Sequence, residues 1–243
     1  MGMFSNVKRK LRRRLHEMFG SDKYSHPGLG GIDRELEKYL NFTNGFFIEA
    51  GANDGYSQSN TYFLERFKGW RGVLVEGMPE LFQKCKKERS KSNVYNCALV
   101  SNTCTDKFIE MRYANLMSLV KGAMKTQEME DQHIADGIRV KRLAGSYTVQ
   151  VPARTLESIL DEQTGLKQID LLSLDVEGYE LEVLKGMNLA KYKPRYILVE
   201  ARFFDDINAL LSPEYDMVAK MSHHDFLYHL KSDSSPSEKP SSD

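Results

Sequence analysis

The sequence predicts an α/β fold: a doubly wound, mostly parallel sheet closed by an antiparallel strand pair. Five short apolar runs carry that expectation: FFIEA (46–50), GVLVEG (72–77), NVYNCALV (93–100), DLLSLDV (170–176) and YILVEA (196–201). Each has the length and bulk of a buried strand. Amphipathic stretches alternate with them, namely SNTYFLERF, PELFQKCKKE, RTLESILDE and YELEVLKGM. Strands alternating with helices imply parallel pairing with helices on both faces. The late segment YDMVAKMSHHDFLYHL reads as two strands around a tight polar turn, which would supply the antiparallel closing pair. With 243 residues, 41% hydrophobic and 28% charged, the chain supports one sizeable core rather than two.

In chain order, residues 1–31 read as a basic amphipathic helix followed by a connector. Phe4, Val7, Leu11, Leu15 and Met18 recur at helical steps, and six of the seven residues from Lys8 to Arg14 are basic. Two readings follow: a helix lying on an anionic membrane or acidic partner, or a helix capping its own domain with a solvated basic face. Asn6 stands where myristoylation would want Ser or Thr. SDKYSHPGLGG (21–31) is turn-rich, and IDRELEKYL (32–40) suggests a short amphipathic helix opening the main domain, residues 32–230. Residues 101–150 interrupt the strand–helix rhythm without a clean period, as a lid or acceptor pocket would, or an extra hairpin and loop. TVQVPA then resumes a strand, and residues 231–243 have the composition of a disordered tail.

Lys+Arg and Asp+Glu balance at 34 each, so net charge gives no sign of a polyanionic partner, and nucleic acid is not expected. Cys85, Cys97 and Cys104 form neither a CxxC pair nor an even framework, which suits free thiols in a reducing, cytoplasmic setting. No run reaches the roughly 18–20 apolar residues of a membrane span.

In open parallel sheets ligands bind beyond the carboxyl ends of the strands. Four of those five ends carry an acid: Glu49 with Asp54, Glu76, Asp175 with Glu177, and Glu200. GANDG (51–55) is a glycine-bracketed turn. Gly51 permits the turn and Gly55 a close helix approach, but Asn53 and Asp54 replace the glycine and phosphate-friendly residue of a dinucleotide fingerprint. A carboxylate there would repel a diphosphate, whereas it suits a cationic, phosphate-free ligand such as S-adenosylmethionine. Glu76, 25 residues after Gly51, is placed to accept from ribose hydroxyls, a role it could also serve for NAD.

The segments GFFIEAGANDGYSQSNTYFLE, GWRGVLVEGMPELF and IDLLSLDVEGYELEVLKGM resemble the FkbM family of S-adenosylmethionine-dependent methyltransferases over roughly residues 45–230. The resemblance implies the class I Rossmann-like methyltransferase fold and O-methyl transfer to a sugar, glycan or polyketide hydroxyl. It places Glu49, Gly51, Ala52, Asn53, Asp54 and Gly55 at the methionine and ribose portions, Asn60 near the same pocket, Glu76 at the ribose and Ala98 near the adenine. Asp175 and Glu177 would line the reaction centre, with Asp175 or Glu177 as the base and His133 and the His223–His224 pair as rivals. Met78 and Pro79 depart from the family's usual residues after the second-strand acid. Asp175 and Glu200 could offer oxygens to Mg²⁺, but the sequence holds no dedicated ligand motif, so a metal is left unassigned. An NAD-dependent oxidoreductase and a non-catalytic scaffold recruited by the basic helix are the alternatives.

Overall fold

The computed structural model describes residues 3–232, and the tail segment lies almost wholly outside them. The helix α1 (Met3–Met18) and a connector precede α2 (Ile32–Leu36). There follow β1 (Phe46–Ala50), α3 (Tyr62–Phe67), β2 (Arg71–Val75), α4 (Pro79–Glu88) and β3 (Asn93–Tyr95). The interrupting segment contributes β4 (Ala98–Leu99), β5 (Phe108–Arg112), β6 (Leu119–Val120), α5 (Gln127–Lys141) and β7 (Thr148–Arg154). Alternation then resumes with α6 (Leu156–Leu160), β8 (Leu171–Leu174), α7 (Glu180–Lys185), β9 (Tyr196–Glu200), α8 (Phe204–Leu211), β10 (Tyr215–Lys220) and β11 (Asp225–Leu230).

The main sheet runs β10-β11-β9-β8-β1-β2-β3. β3, β2, β1, β8 and β9 pair in parallel, while β11 is antiparallel to both β9 and β10. The doubly wound sheet with its antiparallel closing pair is therefore present. Strand order reverses between β1 and β8, which opens a crevice at their carboxyl ends. Side chains alternate across the strands and feed two cores. Ile48, Val73, Leu172 and Ile197 face α6, α7 and α8, whereas Phe47, Leu74, Leu171 and Leu198 face α2, α3 and Trp70.

One predicted strand is in fact two. NVYNCALV breaks after Tyr95 because Asn96 turns its side-chain amide onto the carbonyls of Glu76 and Gly77, at 2.8 and 2.7 Å. The chain then leaves the main sheet, and β4 starts a second one, ordered β4-β7-β5-β6. This small sheet and α5 enclose a third core, in which Met111, Leu119, Val120, Ile134 and Val151 pack on Met78 and Leu81. Likewise α2 ends at Leu36, before the predicted amphipathic stretch runs out.

Helix α1 docks by a polar face. Arg13 and Glu17 are buried; Arg13 reaches Glu88 at 2.5 Å and lies over the Tyr56 ring, and Glu17 accepts from Tyr62 Oη at 2.8 Å. Its predicted apolar stripe (Val7, Leu11, Leu15 and Met18) faces outward instead. This differs from the packing an apolar stripe ordinarily implies, in which the stripe marks the docked side of a helix.

At the far end of α4 sits Arg89, 1% exposed. Its guanidinium donates to Glu65 and Glu49 at 3.1 Å each, to Gly55 O at 3.3 Å, to Ser59 Oγ at 3.1 Å and to Thr61 Oγ1 at 2.8 Å. It thereby ties α4 to the end of β1, the GANDG turn and α3. Removing one partner of a buried pair strands the other charge, at a cost of about 3–5 kcal/mol. Arg89→Ala should lower stability by that amount in chemical denaturation. Arg89→Lys should recover little, since an ammonium cannot reproduce the forked donor set.

Candidate functional site

The crevice at the β1/β8 reversal is a cleft of about 870 Å³, counting its open mouth. Its floor is formed where Gly51 (φ +86°) meets β8: a Cβ at residue 51 would lie 1.7 Å from the Asp175 carbonyl oxygen. Only glycine permits this approach, so the turn expected at Gly51 also joins two strand ends.

Of the residues expected to hold the cofactor, Glu49, Gly51, Ala52, Asn53, Asn60, Glu76 and Ala98 line the cleft, and so do Asp175 and Glu177. Three placements differ in role from the sequence reading. Glu49 has its carboxylate filled from within, accepting from Ser59 Oγ, the Asn60 amide, Thr61 Oγ1 and Arg89. It shapes the wall rather than offering a free charge. Asp54 does not line the cleft: its oxygens accept from the Tyr56 and Ser57 amides and from Ser57 Oγ, as an aspartate that closes its own turn. Gly55 is likewise outside the lining and packs against α4, where a Cβ would meet Arg89 Cγ at 2.8 Å.

Glu76 accepts from the amides of Asn53 and Met78, both at 2.7 Å. Burial nevertheless raises its pKa to about 7, because the two amide bonds only partly offset the loss of water. Asn60 donates to Ser173 Oγ at 3.2 Å, and its Oδ1 is buried without a partner, an acceptor left open beside the cleft.

The far end of the cleft is acidic. Asp175, Glu177 and Glu200 bring carboxylate oxygens within 4.8 Å of one another. Glu177 has a left-handed backbone (φ 58°) that turns its side chain toward Arg202, at 2.7 Å, and His133, at 3.3 Å. Arg202 also stands 3.6 Å from Glu200, whose second oxygen is buried and unpartnered. Burial and then the Glu200 charge push Glu177 up to about 8, with Arg202 opposing. Asp175 is raised well above the usual carboxylate range by the crowding of protein around the cleft floor and by Glu200, Glu177, Glu180 and Asp225, although its side chain stays open to the cleft. Glu180 is pushed to about 7 by burial while accepting from the Val176 and Gly178 amides, and so holds the turn before α7.

His133 Nε2 lies 3.2 Å from the Met117 carbonyl oxygen and 3.3 Å from Glu177, and its pKa is lowered by burial and by Arg202. His223 and His224 lie exposed on the β10–β11 turn, outside the cleft lining. The inserted segment adds a wall: Met111, Asn115, Leu116, Ser118 and Val120 all line the cleft. Several lining residues escaped the sequence reading. Ser173 carried a signal, a hydroxyl inside the apolar run LLSL, and so did Arg202, which lies outside the lining but pairs with Glu177 and stands two residues past a strand-end acid. Among the described residues, no Lys, Arg or His lines the cleft.

The sequence signature of the methyltransferase FkbM domain matches residues 49–231. The chain belongs to the FkbM methyltransferase family. Relatives of this FkbM protein include "Methyltransferase sdnD" of Sordaria araneosa, 25% identical over 203 residues (71% of this chain, 76% of that protein). A second is "Methyltransferase 1" of Beauveria bassiana, 26% identical over 151 residues, with 59% and 58% covered. Among solved structures, the TehB-like S-adenosylmethionine-dependent methyltransferase of Corynebacterium glutamicum aligns at 9% identity and a TM-score of 0.42, covering 95% of this chain and 100% of that one. The Geobacter sulfurreducens S-adenosylmethionine-dependent methyltransferase in complex with S-adenosylhomocysteine aligns at 9% and 0.38, covering 85% and 72%. This FkbM chain is an S-adenosylmethionine-dependent methyltransferase.

The raised carboxylates fix a pH dependence. Between the ordinary glutamate range and about pH 8, the unfolded chain has released a proton that folded Glu177 still holds. Its contribution is therefore complete at low pH and is lost as pH rises through the folded value. Glu177→Gln removes that titration, so the melting temperature of the variant relative to wild type should rise between pH 5.5 and pH 8.5. Scanning calorimetry at the two pH values checks this.

Proposed function

We propose that the cleft carries out O-methyl transfer to a hydroxyl of a sugar, glycan or related natural product, with S-adenosylmethionine as donor. The observation that carries the reading is the charge of the lining: acids at Glu76, Asp175 and Glu177, and no cation among the described lining residues. Such a wall offers the pyrophosphate of a dinucleotide no cation, whereas its carboxyl groups can ionise against a sulfonium and an ammonium. This weighs against the oxidoreductase alternative more directly than Asp54 does.

The residues present fit the donor. Glu76 has each oxygen occupied by one backbone amide and keeps lone pairs for vicinal ribose hydroxyls. The open Oδ1 of Asn60 can accept from an ammonium, and Ala52 and Ala98 offer small apolar contacts to an adenine ring. Bound donor supplies an electrophilic methyl on an already activated leaving group. The chain then has to align the acceptor and take one proton. Alignment alone is worth on the order of 7–11 kcal/mol in well-oriented systems.

Asp175, open to the cleft, is positioned to take the acceptor's hydroxyl proton as the oxygen attacks. Its raised pKa matches that task near neutrality better than an ordinary carboxylate would. Glu177, held by Arg202, belongs to the same carboxylate cluster and shares its proton field with Asp175 and Glu200. The wall from the inserted segment mixes apolar Met111, Leu116 and Val120 with amide and hydroxyl groups at Asn115 and Ser118. That mixture suits an acceptor with an apolar body and several hydroxyls.

S-adenosylmethionine and S-adenosylhomocysteine should raise the melting temperature of the chain, and NAD should not. Stabilisation by NAD alone would overturn the reading. Asp175→Asn should preserve that thermal shift while lowering turnover of an accepted hydroxyl substrate by roughly 10²–10⁴-fold. Wild-type kcat should rise with pH toward about 8 as the carboxylate pair ionises.

A further inference from the structure

The two faces of α1 point to a second activity of this chain. Arg13 and Glu17, one turn apart, are 4% and 8% exposed and fasten the helix to Glu88, Tyr56, Tyr62 and Arg66. Leu11 and Leu15 are also one turn apart but lie on the opposite side, 59% and 53% exposed, with Val7 and Met18 continuing the stripe and Phe19 81% exposed just beyond it. At 3.6 residues per turn, Lys8 and Arg12 fall on one shoulder of the stripe and Lys10 and Arg14 on the other. Lys10 and Arg14 lean back onto Glu88, and Arg12 lies over the Tyr24 ring, yet Lys8, Lys10 and Arg12 remain exposed. An apolar stripe with cationic shoulders matches a bilayer surface in both components: apolar side chains enter the acyl boundary while the shoulders meet anionic headgroups.

We propose that α1 seats the enzyme on an anionic lipid surface through Val7, Leu11, Leu15, Met18 and Phe19, with its opposite face remaining docked on the domain. An acidic protein would satisfy the shoulders but not the continuous apolar row between them, so lipid is the occupant the pattern favours. Neither component suffices alone, since a few apolar side chains bind bilayers only weakly and lysine and arginine on a surface do not insert. The attachment is short-ranged. Arg13 lies over Tyr56 and Tyr56 Oη donates to Tyr24 O at 2.6 Å, so the seated helix is laced to the loop whose next residues, Ser57 to Asn60, line the cleft. This proposal rests on the helix and not on the chemistry of the cleft.

The test is co-sedimentation of the full chain with phosphatidylcholine vesicles, with and without about one-third phosphatidylserine. Binding to the anionic vesicles should exceed binding to neutral ones at least ten-fold and fall as salt rises. Leu11→Glu/Leu15→Glu should lose it at least ten-fold while keeping the wild-type melting temperature, since those side chains are exposed, and Lys8→Glu/Arg12→Glu should weaken it. Failure of the wild-type chain to sediment with anionic vesicles, or unchanged binding by Leu11→Glu/Leu15→Glu, would overturn the proposal. So would a wild-type dimer in light scattering that the same double variant dissolves without any vesicle binding, because the stripe would then belong to a second copy.

Discussion

The buried pair between Arg89 and Glu49 is the constraint on which the rest of the cleft depends. Glu49 is the penultimate residue of the interior strand β1, and an unpaired carboxylate there would cost several kcal/mol of lost hydration. Arg89 reaches it from the end of α4 and directs its other donors to Gly55, Ser59, Thr61 and Glu65. The same contacts fix the GANDG turn against the strand and start α3 at a set position. Asn53, Asn60 and Glu76 inherit their places from that arrangement. The acid that looks most like a ligand is thus the one that builds the wall.

At the other end of the cleft the logic is reversed. Asp175, Glu177, Glu180 and Glu200 are brought together with Arg202 as their near cation, and the surplus negative charge is accommodated by holding protons. One end of the site is rigid because its charges are matched. The other is chemically responsive because they are not. A left-handed backbone at Glu177, worth about 1–3 kcal/mol of strain, is sustained by Arg202, His133 and the neighbouring turn that Glu180 holds.

Strand positions and the closing hairpin were legible because apolar runs of strand length alternate with helical patterns. A run such as FFIEA or YILVEA is apolar at nearly every position, as a parallel strand covered by helices on both faces requires. The strand-end rule then pointed to Glu76, Asp175 and Glu177 without any knowledge of side-chain direction. It failed where direction decides. Asp54 has the chemistry of a ligand and folds back on its own turn, while Arg89, in the run KCKKERSK, looks like a solvated helix end. The inserted segment was opaque for another reason: its small sheet pairs β4 with β7, about fifty residues on, and no local period records such a partner. In α1 the periodicity was right but could not say which side docks, and two buried ion-pairing residues outweigh the stripe of leucines in deciding it.

The proton-holding acids change what the sequence says about charge. Counting every carboxylate as ionised gives a net charge of zero at pH 7. Glu76 and Glu180 sit near 7, Glu177 near 8, and Asp175 is raised as well, so the folded molecule carries protons that the count ignores. At neutral pH the folded protein therefore carries more positive charge than the same chain unfolded. Unfolding in urea releases those protons, and the isoelectric point of the denatured chain should fall below that of the folded one.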